Sequence, residues 1–442
     1  MIQKRNLYWS ATEFLCVLFV QFFVMRFIID QLGIEALGVW AVLMSTAAIA
    51  GFLGMGTASG PGRFLAIAYG RNDNEEIERI LSTIMLGTVP IYILLGCLFY
   101  YPLLWGLGFV LKDAALVEGR ELLIFALGSY VSQMISTTFA SSLTNLHKGY
   151  LKSRIGITSS ILQAVLSVLL IKNYGLVGLA MAQILSYGYI LILSIILLKI
   201  NIGVRLHKLF VWHTDRFKTI ILFGGKMQVT SIGWSLFEMS IRFLMARFGG
   251  LDAVGYYEVA YKIASQARIF IFFIGQNIGP VLASLWSQNQ DNFYAFYRLL
   301  YARLSLFAIL VATGITLLSP VISVIMLGEI QPLFCVFAAL TAVGSAFHIA
   351  AMPSELAAVA IGTLRYNIQG TLTAFTTLMI TGFALGHVYG AIGVACAVLI
   401  SSLLASATPV YYGHRIFQLG SMPGLKNNLH LKNLLTAVLK RG

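Results

Sequence analysis

The stretch that decides the fold is residues 226–280, KMQVTSIGWSLFEMSIRFLMARFGGLDAVGYYEVAYKIASQARIFIFFIGQNIGP, which places five cations and three acids among apolar residues. It predicts two membrane helices joined by a tight glycine-rich turn at residues 249–255. A charge near the middle of a bilayer costs about 2.5–3.5 kcal/mol, so such residues normally face the interior of a helix bundle or a wet cavity. We therefore interpret these charges as part of a pathway across the membrane.

Helical periodicity places the charges of each helix on one face. The charged residues that share these faces are Glu238, Arg242, Glu258, Lys262 and Arg268. Two i,i+4 pairs, Glu238 with Arg242 and Glu258 with Lys262, lower the cost of burial. The alternative interpretation is that the charges only hold helices together or extend to a membrane surface, which suits Lys226 and Arg247 near the helix ends best.

The composition indicates a membrane protein. Of 442 residues, 58% are hydrophobic and only 11% are charged, and the mean hydropathy is +0.84, whereas soluble domains carry about 25% charged residues. Twelve apolar segments are long enough, or nearly so, to cross a bilayer. Five connecting turns are very short and contain glycine: QLGIEA, NYGLVG, GGLDAVG, LGEIQP and GHVYG. The predicted fold class is an all-α polytopic membrane protein with twelve transmembrane helices.

The net charge of +13 is explained by topology and not by a nucleic-acid partner. Most basic residues fall in the termini and in alternate loops, and only Lys112, Arg120 and Lys172 fall in loops on the other side. This asymmetry follows the positive-inside rule, which places both termini in the cytoplasm.

An internal repeat divides the chain into two halves. The matching features, in the same order in each half, are Arg26 and Arg242, Gly60–Pro61 and Gly279–Pro280, Gly149–Lys152 and Gly362–Arg365, and the motifs YGLVGLAMA and YGAIGVACA. Six helices per half is an even number, so the halves are parallel, and we expect them to surround a central cavity. The predicted boundaries are an N-terminal half at 1–199, a cytoplasmic linker at 200–220, a C-terminal half at 221–412 and a basic cytoplasmic tail at 413–442.

Glycine–proline steps recur at the same place in both halves, at Gly60, Pro61, Gly279 and Pro280. Paired helices that bend at such steps suit alternating access, so these four residues are predicted hinges. The Gly-x-Gly spacing before Pro61 is not a nucleotide-binding motif, because no strand–helix unit surrounds it.

The N-terminal half has its own membrane charges. Arg26 forms an i,i+4 pair with Asp30 and is the repeat partner of Arg242, so we expect the two arginines to approach one cavity from opposite halves. Glu13 has no basic residue in its own segment. A carboxylate in a low-dielectric cavity exchanges a proton or holds Na⁺, but a salt link to another helix is an equal alternative. The candidate ion-coupling residues are Glu13, Asp30, Glu238 and Glu258.

Motifs for catalysis are missing from the sequence. The seven histidines form no metal-ligand cluster, the four cysteines have no paired spacing, and no nucleophile elbow, Walker loop or HExxH motif is present. We expect a protein that is not an enzyme, with no metal or cofactor apart from a coupling ion, H⁺ or Na⁺.

The motifs LGIEALGVW after the first span, FGGLDAVGYYEVAYKIA after the seventh and YGLVGLAMA, together with the two six-helix halves, resemble the bacterial polysaccharide transporters, in particular the O-antigen flippases. These proteins belong to the multidrug/oligosaccharidyl-lipid/polysaccharide exporter (MOP) superfamily. The resemblance implies an inner-membrane carrier that moves an undecaprenyl-diphosphate-linked oligosaccharide from the cytoplasmic to the periplasmic leaflet by alternating access. It also implies a place in lipopolysaccharide biosynthesis, beside polysaccharide polymerase and ligase machinery.

A diphosphate requires cations where it binds, and the residues alone supply them: Arg26, Arg242, Lys262 and Arg268 form the predicted cationic, substrate-binding lumen. The alternative from the same superfamily is a cation-coupled multidrug exporter. Such an exporter needs an acidic or aromatic lumen, whereas bases outnumber acids in the seventh and eighth spans. A membrane-embedded transferase would carry a loop-borne acidic or histidine motif, and none is present.

Overall fold

The computed structural model describes residues 4–49, 60–71, 73–111, 113–202, 211–288, 290–363 and 365–416, and these contain helices but no strand. The helices are α1 (Lys4–Leu32), α2 (Ile34–Ala47), α3 (Gly60–Gly70), α4 (Asn74–Thr83), α5 (Val89–Leu107), α6 (Asp113–Asn145), α7 (Gly149–Ile202), α8 (Thr214–Gln288), α9 (Gln290–Leu327), α10 (Pro332–Ala360) and α11 (Arg365–Ile416). A π-helical turn at Ile84–Thr88 joins α4 to α5 without a break.

Within the described ranges, seven helical segments are long and apolar enough to cross a membrane. Two of them, in α7 and α11, are far longer than one crossing requires, and each is interrupted by a residue outside the helical region, Gly175 and Gly390. Each therefore folds into two limbs of one crossing each. The chain is a multi-pass membrane protein.

Glycine makes the tight turns between neighbouring helices. Gly250 interrupts α8 with φ 80° and ψ 177°, a backbone conformation that residues with a Cβ rarely adopt. All five short turns predicted from the sequence contain a glycine with positive φ: Gly33, Gly175, Gly250, Gly328 and Gly390. Because the reversal takes so few residues, the two limbs of each pair pack directly against one another.

The internal repeat is visible in the backbone of the two matching motifs. Gly175 has φ 55° and ψ −134°, and Gly390 has φ 59° and ψ −138°. Three residues later in each motif, Gly178 and Gly393 lie so close to a carbonyl oxygen of the preceding limb that a Cβ would overlap it. The two motifs therefore form the same turn with the same backbone conformation.

The chain forms two compact units, Ile2–Ser235 and Leu236–Gly442. In the first unit α7 packs against α1 and α6, and a buried cluster that includes Leu81, Ile84 and Phe139 fills the space between α3, α4, α6 and α7. In the second unit α10 packs against α9 and α11. The predicted boundaries near 200–220 and 413 stay a prediction, and the tail beyond Ile416 lies outside the described residues.

The first residues of α8 belong to the first unit, where side-chain contacts hold them in place. Arg216 Nε lies 2.9 Å from Glu76 Oε1, and Ser82 donates a hydrogen bond to the carbonyl of Val211. Phe217 packs against Gly87 inside the π-helical turn, where the missing side chain leaves room for the ring. The end of the predicted linker is therefore packed against α4 and the π-helical turn.

The predicted hinge residues occupy two different settings. Gly60 and Pro61 begin α3, whereas Gly279 and Pro280 lie inside the continuous second limb of α8. Their role in bending stays a prediction.

We expect Gly87→Ala to lower the stability of the protein, because a Cβ at this position would lie 2.6 Å from the ring of Phe217. Overpacking of this kind costs about 1–3 kcal/mol. The control is Gly188→Ala on α7, where a Cβ meets no atom within 4 Å and the change gains up to about 1 kcal/mol of helix propensity. Thermal unfolding in detergent measures both, and equal shifts of the two variants would contradict the packing of Phe217 on Gly87.

Candidate functional site

The membrane charges of the second unit meet across the turn at Gly250. The first limb of α8 carries Glu238 and Arg242, and the second carries Glu258, Lys262 and Arg268. Arg242 and Glu258 are equally distant from Gly250 along the chain, so the reversal brings them opposite one another. We refer to Glu238, Arg242, Glu258, Tyr261, Lys262 and Arg268 as the hairpin cluster.

Arg242 and Glu258 form the innermost contact of the hairpin cluster. Arg242 Nε donates to Glu258 Oε2 at 3.0 Å, and a terminal nitrogen of the same guanidinium donates to Oε1 at 3.4 Å. The side chains are only 12% and 8% exposed. The other terminal nitrogen of Arg242 donates to the backbone carbonyl of Glu238 at 3.1 Å. The guanidinium is thus held in a fixed orientation by two partners.

A second group of contacts is centred on Tyr261. Its hydroxyl donates a hydrogen bond to Glu238 and accepts one from Arg268 at 3.0 Å. Arg268 also lies 3.8 Å from the Glu238 carboxylate. The guanidinium carbons of Arg242 and Arg268 lie 5.7 Å and 6.0 Å from the centre of the Tyr261 ring, within the range of cation–π attraction. Tyr261 therefore connects both arginines to the acid on the first limb.

Accessibility increases from Arg242 outward. Lys262, Arg268 and Glu238 have side chains that are between 29% and 37% exposed, in contrast to the buried Arg242 and Glu258. Lys262 Nζ lies 3.9 Å from Glu258, which is a loose ion pair. Two cations of the hairpin cluster are therefore reachable by a ligand, and the third lies behind them.

The hairpin cluster contains three bases and two acids, and Glu355 on α10 interacts electrostatically with Arg268. So many ionisable groups inside a membrane protein are costly and normally mark a functional site. Tyr257 adds a further polar group beside the cluster. Its ring stacks on Tyr261 with centroids 5.9 Å apart, and its buried hydroxyl has no hydrogen-bond partner among the described residues. The cluster has the charge and the donors to bind an anion.

The first unit holds the remaining predicted site residues in two separate pairs. Arg26 Nε lies 2.9 Å from Asp30, and one buried terminal nitrogen of Arg26 has no partner among the described residues. Glu13 is largely buried and accepts a hydrogen bond from Lys152 on α7 at 2.7 Å. The salt link between helices, one of the two alternatives for Glu13, is what the structure contains. The predicted approach of Arg26 and Arg242 to one cavity stays a prediction.

Sequence reasoning identified the charged faces but not the partners. The i,i+4 pair of Arg242 with Glu238 spans 3.8 Å, and the tighter pair is the one with Glu258 across the turn. The bridging role of Tyr261 was not predicted from the sequence. Equal spacing from Gly250 is the signal that would have paired Arg242 with Glu258. Among the exposed charges, Arg247 lies near the ring of Phe248 and outside the cluster.

No group of three metal-ligating side chains occurs among the residues that the structure describes. The histidine of α10, His348, forms a hydrogen bond through its Nδ1 with the hydroxyl of Ser406, at 3.3 Å. The functional groups of the hairpin cluster are guanidinium, ammonium, carboxylate and phenol groups.

Two family models match the sequence. The MatE model matches residues 10–169, and the model of a polysaccharide biosynthesis protein family matches residues 119–330. Among curated protein sequences, none matches the chain significantly. The matches overlap in α6 and α7 and together extend across most of the helices.

Solved structures with the same fold are membrane transporters. An inward-facing multidrug resistance MATE family transporter of the MOP superfamily has a TM-score of 0.75 at 16% identity, covering 91% of this chain and 94% of that one. The lipid II flippase MurJ, in an inward closed conformation, has a TM-score of 0.66 at 16% identity, covering 92% and 87%. A MOP superfamily transporter from Pyrococcus furiosus, described as having a binding pocket of reverse polarity, has a TM-score of 0.61 at 15% identity, covering 95% and 99%. These similarities confirm the predicted twelve-helix, all-α fold.

We expect Arg242→Gln to destabilise the protein by about 3–5 kcal/mol, because it leaves the buried Glu258 carboxylate without its main partner. The double variant Arg242→Gln/Glu258→Gln removes the charge as well and should recover most of the loss. Arg26→Gln is the control, because its pair with Asp30 is half-exposed and such pairs contribute about 1 kcal/mol or less. Thermal unfolding measures all three, and a double variant no more stable than Arg242→Gln would contradict the buried pair.

Proposed function

We propose that the chain is a MOP-superfamily flippase for an undecaprenyl-diphosphate-linked oligosaccharide, such as an O-antigen repeat unit. It moves this lipid from the cytoplasmic to the periplasmic leaflet by alternating access, coupled to an ion. The matches to the two family models and the similarity of the fold to transporters and to a flippase support this proposal. The observation that carries the proposal is the grouping of three basic side chains in one helix hairpin, two of them, Lys262 and Arg268, partly exposed.

The diphosphate is the part of the substrate that the hairpin cluster fits. Guanidinium groups bind phosphate oxygens through two parallel hydrogen bonds, and an ammonium binds them as a point charge. Lys262 and Arg268 are accessible and make the first contact, and Arg242 lies behind them with its donors already oriented. Tyr261 is partly exposed, so its ring can contact the neighbouring sugar, whereas Tyr257 is buried against it.

The first unit contributes Arg26 in this proposal. Its partner-free buried nitrogen retains a donor for an anionic ligand even while Asp30 holds Nε. Arg26, Arg242, Lys262 and Arg268 are the proposed substrate-binding cations. Bending at Gly60, Pro61, Gly279 and Pro280 is the proposed means of alternating access.

The proposed coupling ion is H⁺ or Na⁺, bound by one of the membrane acids Glu13, Asp30, Glu238 and Glu258. Glu13 is the only one of the four in the structure whose carboxylate is paired with a lysine on a distant helix, Lys152, at 2.7 Å. Protonation of Glu13 would release that link between α1 and α7. The proposed location is the bacterial inner membrane with both termini in the cytoplasm, next to polysaccharide polymerase and ligase machinery.

A cation-coupled multidrug exporter is the second candidate, and the match of residues 10–169 to the MatE model favours it. The charge of the hairpin cluster opposes it. An organic cation would be repelled by the three basic groups of the hairpin cluster, whereas an anionic headgroup would be attracted to them. The two functions therefore require cargo of opposite sign.

We expect deletion of the gene in its host to remove the ladder of long lipopolysaccharide chains, and the wild-type gene to restore it. Arg242→Gln should restore less than about a tenth of the long chains, since losing a charged phosphate contact costs more than a factor of ten. Arg247→Gln, which removes an exposed charge outside the cluster, should restore the ladder fully. Full rescue by Arg242→Gln would remove the cluster from the mechanism, and an unchanged ladder after deletion would contradict the O-antigen assignment.

Proteoliposomes test the cargo and the coupling ion together. We expect a fluorescent undecaprenyl-diphosphate-linked oligosaccharide to cross the bilayer faster under an imposed pH or Na⁺ gradient, and Glu13→Gln to reduce this acceleration if Glu13 carries the ion. Uptake of ethidium without movement of the lipid would instead establish the exporter. A flipping rate that no gradient changes would contradict ion coupling.

A further inference from the structure

We propose that Glu258 is a specificity-determining residue, whose carboxylate makes the hairpin cluster reject lipids with one phosphate and accept those with a diphosphate. This inference rests on the proposed function, since it concerns the ligand of the same site. It explains why a site for an anion contains two acids.

Glu258 already occupies the donors that a phosphate would use. Its two carboxylate oxygens lie 3.0 Å and 3.4 Å from Nε and a terminal nitrogen of Arg242, the paired geometry with which arginine binds phosphate oxygens. An anion therefore binds this edge of the Arg242 guanidinium only by displacing the carboxylate. Glu258 competes with every ligand for these donors. A ligand binds only if its interaction with the cluster is stronger than that of the Glu258 carboxylate with Arg242.

Charge decides which ligands succeed. A phosphodiester headgroup carries one negative charge, the same as the carboxylate that it would replace, so the exchange gains no net attraction to Arg242. Either ligand, with one phosphate or two, leaves Glu258, 8% exposed, with Lys262 as its remaining partner at 3.9 Å. Weakening the pairing of a buried charge is costly, and a single phosphate gains nothing that offsets this cost. A diphosphate that links a lipid to a sugar carries two charges. It can contact Arg242 and one of the accessible cations, Lys262 or Arg268, at once.

The hairpin cluster also provides a place for the displaced carboxylate. Lys262 Nζ lies 3.9 Å from Glu258 Oε1, one turn further along the same helix, so Glu258 can move from Arg242 to Lys262 and remain paired. Glu238 cannot serve in the same way, because Tyr261 and Arg268 hold it. Arg268 shares its charge with Glu238 at 3.8 Å, so an approaching headgroup meets two partly neutralised cations before Arg242.

A site of this kind inside a membrane has to select against lipids that carry one phosphate. Ordinary phospholipids carry one phosphate, and they surround any membrane protein in great excess over a lipid-linked oligosaccharide. A site with three unopposed cations would fill with them. Specificity of this kind requires that binding of the wrong ligand is unfavourable, here because it must displace Glu258, as well as that binding of the correct ligand is favourable.

The experiment compares two soluble probes that differ by one phosphate. Each joins a farnesyl chain to N-acetylglucosamine, one through a diphosphate and the other through a single phosphate. Binding to the purified full-length protein in detergent is measured by calorimetry for the wild type, for Glu258→Gln and for the control Asp252→Asn, which removes an exposed acid of the same hairpin outside the cluster.

We expect the wild type to bind the diphosphate probe at least about tenfold more tightly than the monophosphate probe. Glu258→Gln should tighten the monophosphate probe by about tenfold and the diphosphate probe by much less, so that the ratio falls toward one. Asp252→Asn should leave the ratio unchanged. A wild-type preference that survives intact in a folded Glu258→Gln protein would overturn the inference.

Two further variants keep the outcomes separate. Arg242→Gln/Glu258→Gln should lose the diphosphate probe, and retained tight binding in this variant would contradict the proposed function and not only the role of Glu258. If Glu258→Gln does not fold, Glu238→Gln serves in its place. It removes the acid that opposes Arg268 and should lower the diphosphate preference in the same direction by about threefold, with an unchanged preference counting against the inference.

Discussion

The pairing of Arg242 with Glu258 across the turn at Gly250 is the interaction on which the second unit's site depends. A guanidinium deep in a membrane protein needs a partner, and the partner must come from another helix if it is to be held in place on both sides. The left-handed glycine at 250 lets the chain reverse in very few residues, which sets Glu258 opposite Arg242. Sequence spacing, backbone conformation and electrostatics therefore act together at one point.

The other charges follow from this pair. Tyr261 on the second limb reaches Glu238 on the first and also contacts Arg268, so the second acid of the cluster is engaged as well. We propose that the three basic groups of the cluster separate an anionic cargo from a cationic one. They do so independently of fold, because the same fold occurs in multidrug transporters and in a lipid II flippase. The fold alone therefore does not identify the cargo, and we propose that the charges of the helices select it.

Much of the fold could be predicted because bilayer thickness and glycine geometry act locally. Apolar segments of sufficient length predicted the helices, and each of the five short glycine turns has its positive φ where the sequence indicated. The site was predictable only to the level of faces. Periodicity placed Arg242 and Glu258 on the right stripes, but the i,i+4 rule compares residues on one helix and so paired Arg242 with Glu238. Lys152 was not foreseen as the partner of Glu13, nor Gly156 as the residue that leaves room for that carboxylate, since both depend on how α1 packs against α7.

The central claim is that the hairpin cluster binds a diphosphate. The most direct measurement is an electron cryo-microscopy map of the protein bound to an undecaprenyl-diphosphate-linked oligosaccharide. We expect density for the diphosphate within hydrogen-bonding distance of Arg242 and of Lys262 or Arg268, with Glu258 moved away from Arg242 toward Lys262. A diphosphate bound elsewhere, with the Arg242–Glu258 pair intact, would contradict this claim.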